Sequence, residues 1–75
     1  MNNKRRKELR KAVDMLRDAS SIVADAGQEE EDYAENMPEN MQDGDKYERA
    51  MEVVDILSDA EDLIDEAIGK IEEAI

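Results

Sequence analysis

This 75-residue chain contains no cysteine, histidine, tryptophan or phenylalanine, and only one proline and three glycines. Without cysteine there is no disulfide and no thiolate metal site. Without histidine there is no zinc motif and no imidazole acid or base. The Glu-x-x-His pairs with which helical bundles hold two metals cannot be built either. No apolar run approaches the ~18 residues that a membrane span needs. Met1 to Lys7 opens like a secretory leader, but no uninterrupted apolar segment follows, so that reading is set aside. The length allows one domain, and a core of this size contributes only about 3–5 kcal/mol unless staples or partners add to it.

What the chain does have is charge. There are 22 acids and 10 bases, for a net charge of −12. The two signs are segregated. Residues 1–17 carry seven bases against two acids, and residues 18–75 carry three bases against twenty acids. High charge with few aromatics can mark a disordered chain, but a strict apolar periodicity opposes that here.

The periodicity is clearest from Asp45 to Ile75. Tyr47, Ala50, Val54, Leu57, Ile64, Ile68, Ile71 and Ile75 recur at steps of three and four, interrupted only by Glu61. That is the seam of a helix packing in the coiled-coil manner. A second row (Val53, Ile56, Ala60, Leu63, Ala67, Ala74) runs beside it, broken by Lys70. In the first half, Leu9, Ala12, Leu16, Ala19, Val23 and Ala26 are read as the main seam. Met15 and Ile22 widen it on one side, Val13 and Ser20 on the other. Gly27 lies near the middle of this face, and either lets the other helix approach or breaks the helix.

Pro38 stops the first helix, because the residue before a proline is pushed out of the α region. Asp45-Lys46-Tyr47-Glu48 reads as a capping box with Asp45 as the N-cap. The expected fold is all-α: a helix over about 4–37, a loop over about 38–44 and a helix over about 45–75. These form an antiparallel hairpin with paired positions summing to about 84. This register sets Leu16 against Ile68 and brings Glu61 near Arg17, Ser20 and Ser21, which are its expected partners. Met15, Ile22, Val53, Ile56, Ala60, Leu63 and Ala67 stay uncovered. A two-helix layer cannot bury them, so a homo-oligomer is expected, most simply a dimer forming a four-helix bundle.

Catalysis needs a nucleophile with a base, a poised acid–base pair or a metal. None is legible, so no enzyme activity, cofactor or metal is expected. The run Glu29-Glu30-Glu31-Asp32 reads as a solvated acidic turn, because four successive carboxylates point four ways around a helix. Asp43-Gly44-Asp45 fails as a calcium loop because the position that needs Glu is Val54.

Two charged features remain. Asp25, Glu29, Asp32, Glu35, Glu39 and Asp43 trace an acidic edge toward the loop. It either solubilises the protein or imitates a phosphate backbone to occupy a basic groove. Lys4, Arg5, Arg6 and Lys7 form a basic pole against the preference of a helix N-terminus for acids. The pole is either neutralised by the other helix end, with Arg10 and Lys11 meeting Glu72 and Glu73, or, since residues 4–7 project past Ile75 in this register, left to a partner subunit or to a phosphate-bearing ligand.

The basic opening Lys4-Arg5-Arg6-Lys7, the tract Tyr33-Ala34-Glu35-Asn36-Met37-Pro38-Glu39-Asn40-Met41-Gln42, and Tyr47-Glu48 leading into an Ala/Ile/Leu/Glu-rich helix resemble a group of small proteins encoded by bacterial phages and prophages. The resemblance spans nearly the whole chain and carries no activity or functional residues with it. It implies a phage setting in the cytoplasm of a bacterial host, where proteins of this size act by binding. The expected function is therefore non-enzymatic protein–protein interaction, as an inhibitor of a host defence protein with a nucleic-acid-mimicking surface. The alternatives are an oligomeric sponge for a small phosphate-bearing ligand and a structural subunit of a phage assembly. The expected partners are a second copy and another protein. Membrane association and direct nucleic-acid binding are not expected.

Overall fold

The computed structural model describes all 75 residues: helix α1 (Asn3–Glu35), a short 3₁₀ turn (Glu39–Met41) and helix α2 (Asp45–Ala74). The two helices pack side by side in an antiparallel hairpin measuring 60 × 14 × 11 Å.

Helix α1 begins one residue earlier than the periodicity suggests, because Asn2 caps it. The Asn2 backbone is extended, and its side-chain oxygen accepts a hydrogen bond from the Arg5 amide at 2.8 Å. This satisfies one of the amide donors that a helix start leaves without a partner. Asn2→Ala is expected to cost about 1 kcal/mol of stability, measurable as a shift in the denaturation midpoint. The helix runs unbroken through Gly27 and ends at Glu35, two residues short of Met37. Pro38 is the reason: it excludes Met37 from the α region, and the chain instead tightens, the Met37 amide donating to the Ala34 carbonyl. The Gln42 side chain then donates to the Met37 carbonyl at 3.1 Å, tying the loop across itself.

The N-cap of α2 is Gly44, not Asp45. Gly44 has the extended backbone, its carbonyl accepts the first helical bond from the Glu48 amide, and no side chain caps the start. Asp45 has already entered the helix. There, with Glu48 in the same turn, its negative charge favours the positive end of the helix dipole.

The interface corrects the seam on α1. The inward row is Leu9, Val13, Leu16, Ser20, Val23, Gly27, Ala34 and Met37. Val13 is only 3% exposed, whereas Ala26 is exposed. Ala12 and Ala19 are half-buried at the edge of this row, and Ala26 lies out on the flank. On α2 the expected seam stands, with Ala50 and Ile68 buried. A β-carbon placed on Gly27 would lie 3.7 Å from that of Leu57, which is the register in which paired numbers sum to 84.

The core is thin. Six residues are buried, and no large side chain is completely enclosed. The chain exposes 5761 Å², against about 4,650 Å² for a compact monomer of its mass.

Candidate interaction surfaces

The hairpin has two flanks. On one, the Arg17 guanidinium reaches the Glu72 carboxylate at 3.3 Å, and Ser21 and Ala24 line an open groove with Asp65. This flank is polar. The opposite flank carries the rows that the sequence left uncovered, and helix geometry puts both on one side of the hairpin. Ala12, Ala19 and Ala26 form a shallow strip with Ala60 and Ala67. Met15 and Ile22 border it on α1, Ile56 and Leu63 on α2. These four are exposed to 63%, 70%, 54% and 64% respectively. Ala67 is exposed, and Val53 and Ala60 are half-buried at the edge of the seam. Scattered exposed apolar residues need no explanation, but a contiguous set rimmed by charge marks a contact surface.

Arg17 corrects the expected pairing at two points. The register brings it near Glu61, but it takes Glu72, with Asp14 also within 3.9 Å. Glu61 has no hydrogen bond to Arg17, Ser20 or Ser21. It lies half-buried over Gly27, its Oε1 4.0 Å from where a β-carbon would be. Arg10 and Lys11 do not meet Glu72 and Glu73 either, since Glu73 pairs with Lys70 at 3.3 Å. The register allowed Arg17 to reach either helix face, and only the flank on which it emerges decides between the two acids.

The six residues of the acidic edge are all at the surface. Asp25, Glu29, Asp32 and Glu35 step along the outside of α1, and Glu39 and Asp43 carry the edge around the loop. All six are exposed and none is in an ion pair. Only Asp32 accepts a side-chain hydrogen bond, from Gln28 at 3.0 Å. The run Glu29 to Asp32 is helical rather than a turn. Its middle members, Glu30 and Glu31, are half-buried toward α2. No three carboxylates gather into a metal-sized cluster.

At the other end, Lys4, Arg5 and Lys7 are exposed. Arg6 is half-buried and donates to the Asn3 side chain at 3.2 Å. Lys4, Arg5, Arg6, Lys7, Arg10 and Lys11 have no ion-pair partner within the chain. Successive helical residues turn by about 100°, so Lys4 to Lys7 make a collar of charge rather than a cup. The nearby groove of Arg10, Val13, Asp14, Arg17, Glu72 and Ile75 balances its two arginines with two carboxylates.

Divided at mid-length, the rod is electrically lopsided. The half that holds both termini (residues 1–22 and 64–75) has eight bases against seven acids. The loop half (residues 23–63) has two bases against fifteen acids. No helix is long and apolar enough to cross a membrane. No protein family, curated protein or solved structure matches this chain.

Proposed function

We propose that this chain is a non-enzymatic binding protein that self-associates through its apolar flank into a four-helix bundle. The acidic loop half then engages a basic surface on a macromolecular partner. A phage-encoded inhibitor occupying the nucleic-acid groove of a host protein is the setting that fits this chemistry. The observation that supports the reading is the segregation of charge: a loop half at −13, with six edge carboxylates exposed and outside any ion pair. A surface of one sign steers an oppositely charged partner and raises its association rate.

The test is capture from host lysate on immobilised protein at graded salt, with the parent beside a variant reversed at three edge positions (Asp25→Lys, Glu29→Lys, Glu35→Lys). All three side chains are exposed, so the variant should stay folded. The parent should retain a basic nucleic-acid-binding protein at low salt and release it as salt rises, because screening lengths fall to about 8 Å at physiological ionic strength. The variant should retain little of it. Equal, salt-resistant capture by both proteins would move the interaction to the apolar flank and overturn the acidic reading.

A further inference from the structure

We infer that the second copy on the apolar flank lies antiparallel to the first. Each copy's basic pole then lies at the same end of the assembly as the other's acidic loop half. The inference rests on the self-association proposed above and specifies its geometry.

The area argument selects a second copy. The excess of about 1,100 Å² over a compact monomer is what one chain would bury in a dimer of about 2,000 Å² in total, the size of a stable specific interface. A flat strip of alanines bordered by larger apolar side chains is also self-complementary, as a two-fold interface requires.

Two face-to-face arrangements are possible. A two-fold axis along the rod lays α1 on the second copy's α2, with both loops at one end. An axis across the rod lays α1 on the second α1 and α2 on the second α2, with the loops at opposite ends. Every neighbouring pair of helices is antiparallel in both arrangements, so helix dipoles do not distinguish them.

Charge does. The parallel arrangement sets two loop halves of −13 side by side. The antiparallel one sets each against a terminal half of +1. The contact of Gly27 with Leu57 fixes the register and puts Ile22 level with Leu63, at the middle of the apolar flank. A two-fold axis there brings Ile22 and Leu63 each beside its own copy. It also brings Lys11 level with Asp32 of the second copy, and Arg5 level with Glu39. Those cations have no ion-pair partner in their own chain, and those acids belong to the exposed edge. In the parallel arrangement, Lys11 would instead lie near Glu73 of the second copy, which Lys70 already occupies at 3.3 Å.

The absence of cysteine makes the test direct. Three exposed positions are changed singly: Lys11→Cys, Asp32→Cys and Glu73→Cys. Sedimentation first measures the mass of the parent and each variant. Lys11→Cys protein is then mixed with either Asp32→Cys or Glu73→Cys protein, and a short bis-maleimide is added at low salt. The antiparallel arrangement should give at least about tenfold more linked heterodimer with Asp32→Cys than with Glu73→Cys, as a preference of 1.4 kcal/mol would. Dimers that link Lys11→Cys to Glu73→Cys would overturn the orientation and leave self-association standing. A parent that sediments as a monomer at micromolar concentration would overturn both.

Discussion

Leu63→Glu is expected to dissociate the assembly and to lower both its helix content and its melting temperature. In a lone hairpin the substitution would do almost nothing. Leu63 is 64% exposed there, and surface substitutions away from special features shift stability by no more than about 0.5 kcal/mol. In the antiparallel dimer Leu63 borders the buried strip at its mid-length, beside Leu63 of the second copy. The change then places two carboxylates without partners side by side in an apolar contact. Burying an unpaired charge costs about 3 kcal/mol or more, which raises the dissociation constant by more than about a hundredfold. Ser58→Glu adds the same charge to the polar flank and serves as the control. Sedimentation and far-ultraviolet circular dichroism at matched concentration should separate the two variants. If Leu63→Glu kept the parent's mass and melting temperature, the apolar flank would not be an interface.

The second large effect is expected at the weakest layer inside the hairpin, where Gly27 faces Leu57 and Glu61. An alanine β-carbon at Gly27 would sit 3.7 Å from Leu57 and 4.0 Å from the Glu61 carboxylate. Both are ordinary contact distances, so Gly27→Ala should fit without movement. It should contribute about 1 kcal/mol through helix propensity alone. Glu61 is half-buried on the seam with no hydrogen bond. Glu61→Leu restores the apolar repeat and should contribute about 1 kcal/mol, part of what full leucine burial is worth. The two sites touch, so their effects need not add. For the double variant, a gain of roughly 2 kcal/mol corresponds to about 8–16 °C in melting temperature for a domain of this size. All four proteins should be melted at one concentration, because association makes the midpoint concentration-dependent. A drop in melting temperature with Glu61→Leu would mean that the carboxylate has a partner in the assembled protein.

The ends of the helices show how far local chemistry carries. Pro38 stops α1 wherever the rest of the chain goes, because its ring restricts the preceding residue whatever the tertiary contacts. The seam of α2 was equally legible, because Leu57, Ile64, Ile68 and Ile71 leave one apolar direction on that helix. The cap of α2 is Gly44 where the pattern points to Asp45, a difference of one residue that is the usual precision of helix boundaries read from pattern. Residue type alone does not single out Asn2, because Asn3 is an equally good cap and stands nearer the helical pattern; the hydrogen bond from the Arg5 amide decides between them.

What the sequence determined by itself was therefore an all-helical hairpin, its register, its loop and the segregation of its charge. Each follows from spacing along one helix or from residue type. The inward face of α1 followed from neither. Leu9, Leu16 and Val23 have an equally spaced row on each side: Ala12, Ala19 and Ala26 on one, Val13, Ser20 and Gly27 on the other. Either row completes a seam. Only the position of α2 across the interface chose the second, burying Val13 and Gly27 while Ala12 and Ala19 stay half-buried at the edge and Ala26 is exposed. The same rotation sent Arg17 to Glu72 and left Glu61 over Gly27. A periodicity records which residues share a helix face, but the angle at which that face meets its neighbour is a property of both helices together.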